Sequence, residues 1–210
     1  RLFHNDASNR LLAFIDAHPE NPHVRSCSFE LFRHYFERKR YDDAMAWAAR
    51  VEENELDEAD RDEFVFKKGY AYFQQGQQDK ALIELNKVKD GESLYAAPAT
   101  YYAAHIHYEK VNYATALQGF EKLSTDPNFG RIVPYYIAQV KFLQGDYDAL
   151  QAYVKPLLED PNGAKRVDQI NRLAGEAYYR TGKYSEALPY LQKSAQRAGV
   201  DRGERYILGY

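Results

Sequence analysis

The chain has 210 residues, of which 45% are apolar and 28% charged, enough apolar content for a buried core with an ordinary charge load. A net charge of −3 gives no electrostatic reason to expect DNA, RNA or an anionic membrane as the main partner. No apolar run approaches the roughly 20 residues that a membrane-spanning helix needs, and the single Cys27 excludes an internal disulfide while leaving the redox compartment open.

In chain order, Ala7-x-x-x-Leu11 followed by Pro19 reads as the second helix of a helical hairpin whose first helix is missing. The segments KRYDDAM, GQQDKAL, VNYATAL, GDYDAL and GKYSEAL then begin at Lys39, Gly76, Val111, Gly145 and Gly182, in steps of 37, 35, 34 and 37 residues. Each follows one helical pattern and opens another, at close to the roughly 34-residue helix–turn–helix period. Glycine at the end of the first helix suits a left-handed cap, which residues with a Cβ adopt only at a cost. The small Ala44, Ala81, Ala116 and Ala187 let paired helices approach closely.

The preceding helices carry a small residue and a ring one turn apart in Gly69-x-x-Tyr72 and Gly175-x-x-Tyr178, with Ala104-x-x-His107 and Ala138-x-x-Lys141 as variants. Gly175 to Gly209 is a further step of 34, so the C-terminal IleLeuGlyTyr opens another unit. Pro19, Pro22, Pro98, Pro127 and Pro161 fall at expected joints, and Pro134 fits a first helical turn. Pro156 and Pro189 fall within second helices, where they should kink the helix or cost hydrogen bonds.

These features resemble the tetratricopeptide-repeat (TPR) superfamily, with its L-G-x-x-Y, A-x-x-x-F and P pattern. Ala116-x-x-x-Phe120 and Leu208-Gly209 fit directly. Ser28, Val65, Thr100, Pro134 and Asn171 stand where many members have Trp; Phe32 replaces a small residue, and Lys68 a Leu. The resemblance implies an all-α solenoid, a right-handed superhelix of antiparallel helix pairs. The expectation is about eleven or twelve helices in one solenoid over residues 1–210, about six units with the first and last incomplete. Starting at Arg1 and stopping inside a helical pattern, the chain reads as a piece of a longer protein.

The resemblance also implies a concave groove lined by the first helix of each pair. Its positions are Phe29 and Arg33; Phe66 and Tyr70; Tyr101, Tyr102 and His105; Tyr135, Tyr136 and Gln139; and Arg172 and Glu176. With 19 Tyr and 11 Phe, such a wall would suit a polypeptide bearing apolar side chains. The competing reading packs the same rings between repeats. Adjacent helical residues point about 100° apart, so the Tyr101–Tyr102 and Tyr135–Tyr136 pairs should each split, one ring inward and one toward the groove. Phe29, Phe66, Tyr101 and Tyr135 occupy places where the chaperone-tail clamp of some TPR proteins needs polar or basic groups, which argues against that function.

His105-x-His107 cannot share a metal ion on a helix, because residues two apart point about 200° from each other. Residues 52–63 hold eight acids and one Arg, read as a solvated joint whose acids favour the next helix N-terminus. Arg38-Lys39-Arg40 reads as a helix end that welcomes positive charge. Cys27 reads as an inert thiol buried in a first-helix seam. No phosphate loop, nucleophile elbow or paired-carboxylate arrangement stands out.

The sequence therefore points to a non-enzymatic, cofactor-free scaffold for a protein or peptide partner, with no nucleic-acid role and no membrane span; self-association through the solenoid ends stays open. The joint PheIleAspAlaHisProGluAsnProHisVal is similar to those of bacterial cell-envelope TPR proteins, which implies a periplasmic or envelope setting, with the cytoplasm as the other option. The alternative is a regulatory or docking arm of a larger enzyme or transcription regulator.

Overall fold

A computed structural model describes residues 5–160 and 163–195. These residues are all-helical, in consecutive pairs as the recurrence requires, and fall into two compact units divided between Ala103 and Ala104. The partial repeat at Leu208-Gly209 and Pro161 lie outside the described residues.

The first unit holds α1 (Asn5–Ala17), α2 (Val24–Glu37), α3 (Tyr41–Ala48), α4 (Glu58–Gln74), α5 (Gln78–Val88) and the start of α6 (Ala96–Glu109), with a short 3-10 turn at Glu53–Glu55. Here α1 packs on α2, α2 on α3, α3 on α4 and α4 on α5. Leu31, Phe32, Phe64, Ala71 and Leu85 form its fully buried centre. Each large side chain so buried contributes about 1.5–3 kcal/mol. Trp47 of α3 lies outside that centre, with the Arg50 guanidinium 4.5 Å over its ring.

The second unit holds the end of α6 with α7 (Tyr113–Lys122), α8 (Val133–Leu143), α9 (Tyr147–Glu159), α10 (Val167–Arg180) and α11 (Tyr184–Ala195). Its helices pack as α7 on α8, α8 on α9, α9 on α10 and α10 on α11, and the first helices α8 and α10 also touch each other. Ile106, Phe120, Ile137, Leu150 and Ile170 are fully buried there. Pro134 lies in the first turn of α8, as expected. Pro98 lies inside the first turn of α6 instead of at a joint, which costs nothing because the first N–H groups of a helix have no intrahelical partner. Pro156 and Pro189 lie within α9 and α11 on solvent-exposed positions.

All five recurring turns have one geometry. Lys39, Gly76, Val111, Gly145 and Gly182 take left-handed backbone, with φ of 58°, 73°, 63°, 75° and 76°. At the second turn, the Gln77 N–H donates to the Tyr72 carbonyl at 2.9 Å and the Gly76 N–H to the Phe73 carbonyl at 3.0 Å. The same pair of bonds recurs at the other four turns. This is the Schellman arrangement, which satisfies the last carbonyls of the first helix. The residue that closes it starts the second helix: Arg40, Gln77, Asn112, Asp146 and Lys183 each accept from the N–H four residues on.

The close approach of paired helices also has a direct cause. A Cβ on Gly69 would lie 2.9 Å from the Leu85 Cγ, and one on Gly175 would lie 2.6 Å from the Leu191 Cγ. The small residue of the first helix is thus the seat for a leucine of the second. Lys68, at a position where leucine is usual, is explained by its partner: its Nζ lies 3.0 Å from the Glu84 carboxylate, which is 8% exposed.

Candidate functional site

In the first unit the expected groove positions behave in two different ways. Phe29 and Phe32 are turned into the core together; Phe29 is 3% exposed and meets Phe64 edge-on at 5.9 Å. It therefore offers no surface to a partner. Arg33 lies over the Phe29 ring at 4.0 Å, and its donors are used within the unit. Its Nε and Nη2 hold Glu63 as a fork at 2.9 and 2.8 Å, Nη1 reaches Glu30 at 2.8 Å and Nη2 reaches Asp60 at 2.5 Å. Burial opposes the Arg33 charge, but the bonds and charge of Glu63, with Glu30 and Asp60, raise its pKa.

Glu63 is the hub of this tie. Lys67 also reaches it at 2.9 Å, while bonding Glu37 at 2.8 Å. Burial disfavours the Glu63 carboxylate, yet the Arg33 and Lys67 bonds hold its pKa below the usual value. Tyr95 lies near the same carboxylate, and burial first, then Glu63, pushes its pKa up to about 12. Five of the eight acids of the run 52–63 have structural partners. Asp57 caps α4 through the Asp60 N–H at 2.8 Å, Glu55 pairs with Arg25, and Glu53 pairs with Lys87 at 3.0 Å.

The remaining rings of the first unit form one partly exposed sheet of aromatic surface. Tyr70 meets Tyr102 edge-on at 4.9 Å, Phe66 stacks on Tyr95 at 5.3 Å, and Phe73 lies 5.2 Å from Tyr102. Tyr41 and Tyr102 both lie against Tyr70, and burial first, then the proximity of Tyr70, raises the pKa of each. Tyr101 is also half-buried, with its ring edge-on to Tyr102 at 5.3 Å. Tyr101 and Tyr102 therefore do not divide into one buried and one open ring.

In the second unit the adjacent pair does divide. Tyr136 is 7% exposed and stacked on Phe120 at 5.0 Å, so it belongs to the core; Tyr135 is half-buried, packed against the core cluster with the Arg166 guanidinium 4.8 Å over its ring. His105 packs 5.4 Å from Tyr136 with its Nδ1 3.3 Å from Glu109. Burial lowers its pKa, Glu109 opposes this and Arg166 reinforces it, so the ring is neutral at pH 7. Gln139, Arg172 and Glu176 are half-exposed. Glu176 accepts from Arg180 at 2.7 Å, and Arg180 also donates to the Tyr147 hydroxyl at 2.9 Å.

Several contributors escape a reading confined to first-helix groove positions. Tyr41 comes from the start of the second helix α3, Tyr95 from a joint and Arg166 from the residue before α10, where it takes left-handed backbone at φ 59°. The motif Lys-Arg-Tyr at the first turn was the available signal for Tyr41; nothing local marks Arg166. Cys27 is half-buried, not fully enclosed; burial and then Glu30 raise its pKa against a backbone hydrogen bond, keeping it a thiol. Among the described residues no group of three or more His, Cys, Asp or Glu is placed to hold a metal ion, and no helix is long and apolar enough to cross a membrane.

These hairpins have the fold of TPR-like repeat proteins. MamA superposes with a TM-score of 0.67 at 17% identity, over 84% of this chain and 92% of that one. A second MamA structure, from AMB-1, superposes with a TM-score of 0.63 at 17% identity, over 87% and 94%. A putative kinesin light chain of Podosopora anserina with nearly identical TPR-like repeats gives 0.58 at 16% identity, over 85% and 100%. No protein-family model matches the chain, and no curated protein matches its sequence.

Proposed function

We propose that this chain is a non-catalytic scaffold that holds a polypeptide segment against the first helices of its hairpins. The observation that carries the reading is the partly exposed ring surface of Phe66, Tyr70, Tyr101 and Tyr102. Its members are fixed against one another by edge contacts among Tyr41, Tyr70, Tyr101 and Tyr102. Rigid aromatic area that loses little freedom on binding is what dominates protein interfaces. In the second unit Tyr135, His105, Gln139, Arg172 and Glu176 are the corresponding candidates. Phe29 and Tyr136 serve as core beneath these surfaces, and Arg33 as the tie that stiffens the first.

The fold shared with other TPR-like repeat proteins supports a protein partner over a small-molecule reaction. The joint at residues 14–24 supports a place in a bacterial envelope assembly. A docking arm of a larger enzyme or regulator is the alternative.

The test is site-specific photo-crosslinking from Phe66, Tyr70 and Tyr101 in native cells, with Asn86 of the second-helix face as control. Adducts confined to the three ring positions support the reading. Equal labelling at Asn86, or adducts nowhere, would sink it. Circular dichroism of each variant guards against trivial unfolding.

A further inference from the structure

The second unit carries three neighbouring cations for which no ion pair is found among the described residues. The joints α7–α8 and α9–α10 are bridged by a hydrogen bond from the Lys165 N–H to the Arg131 carbonyl at 2.5 Å, which brings Arg131, Lys165 and Arg166 into one neighbourhood. All three are exposed, and none is ion-paired among the described residues. The Arg166 guanidinium is held in place by rings instead, 4.8 Å over Tyr135 and 5.5 Å over Tyr136. Arg33 in the first unit shows the contrasting arrangement, with Glu30, Asp60 and Glu63 all spent on one guanidinium.

An arginine placed over aromatic faces keeps its in-plane N–H groups available, and those groups match a carboxylate as a fork. Arg166 also occupies left-handed backbone, which a residue with a Cβ adopts only at a cost. Like charges gathered at one spot repel, and a partner of opposite sign relieves that repulsion. Tyr135 lies alongside with part of its ring open, so a side chain next to the carboxylate has an apolar seat.

We propose that Arg131, Lys165, Arg166 and Tyr135 form a docking surface for an acidic peptide segment, with alternating carboxylates on the cations and an apolar side chain on Tyr135. This rests on the scaffold reading above and names the chemistry of one partner segment. The site lies at the joints preceding α8 and α10 and shares Tyr135 with the expected groove positions.

The test is fluorescence anisotropy of the full chain with a fluorescein-labelled dodecapeptide of alternating Glu and Leu. Its Lys/Leu counterpart, an uncharged Ser/Leu peptide, oligo(dT) and phosphatidylserine vesicles are run alongside. Arg166→Gly and Arg131→Gln are the variants; the glycine is at ease in the left-handed backbone, so the fold is kept while the cation is removed. The Glu/Leu peptide is expected to bind, to lose about tenfold in affinity with each variant, and to weaken with added salt. Binding indifferent to both variants, or tighter binding of oligo(dT) or vesicles, overturns the proposal. Binding of the Ser/Leu peptide in place of the Glu/Leu one overturns it while leaving the scaffold reading standing. Failure of every peptide overturns the proposal, while the scaffold reading is decided separately by the crosslinking from Phe66, Tyr70 and Tyr101.

Discussion

At the scale of single residues, the left-handed turns separate backbone cost from side-chain packing. Val111 is 64% exposed and pays the left-handed penalty with a β-branched side chain. Val111→Gly should raise stability by about 0.5–1 kcal/mol, the penalty less glycine's greater freedom in the unfolded chain. A Cβ added at Gly76 meets nothing within 4 Å, so Gly76→Ala should lower stability by about 1 kcal/mol through φ alone. Urea unfolding of the pair checks both signs. The Lys68–Glu84 bond makes a second residue-level case. Lys68→Leu restores the residue usual in TPR repeats but removes one of two cations from a buried carboxylate, and should cost about 1–3 kcal/mol. Adding Glu84→Met should recover most of that loss in the same measurement.

At the scale of helices, seam geometry governs what the pairs tolerate. Gly175→Ala forces a methyl to within 2.6 Å of the Leu191 Cγ and 3.1 Å of the Leu191 backbone nitrogen, so α10 and α11 must part. A loss of about 1–3 kcal/mol is expected. Leu191→Ala in the same chain should relieve the clash, so that the double variant loses less than the sum of the singles. A double-mutant cycle in urea reads this coupling.

These helices and turns were legible in the sequence because their causes are local. Gly76, Gly145 and Gly182 announce left-handed caps, and recurrence alone assigned Lys39 and Val111 to the same geometry. The interaction surface was only half legible. Helical phase could nominate Phe29 as a first-helix position, but its burial depends on Phe64, which arrives 35 residues later on the next hairpin. Arg33 looked like a free anchor for the same reason: Asp60 and Glu63, which occupy it, belong to α4. Arg166 was invisible because its importance comes from a joint brought beside Tyr135 by folding.

At the scale of the whole molecule, pH should act on both units. His34 in the first has its pKa lowered by burial and by Arg38 and Arg40, and His105 in the second by burial and Arg166 against Glu109. A histidine whose folded pKa is depressed contributes stability above its unfolded value near 6.5, and that contribution fades as pH falls through the folded value. Melting temperature should therefore decline on acidification below about pH 6.5, and the His34→Gln, His105→Gln double variant should flatten that limb. Below the usual carboxylate value a second decline follows, since Glu63 and Glu84 have depressed pKa values and their pairing is lost as they protonate. A decline of the same steepness in the double variant would show that other groups carry the acid response.

Trp47 beneath Arg50 gives this chain a built-in optical address. It is the sole tryptophan, and it sits in α3, within the first complete hairpin. Its emission near the red edge therefore reports melting of that hairpin, while ellipticity sums over every helix and tyrosine absorbance over rings in both units. Where neighbours supply most of each hairpin's stability, fraying begins at an end and travels inward. A lag between the three signals would mark the direction in which this array comes apart, with no label attached.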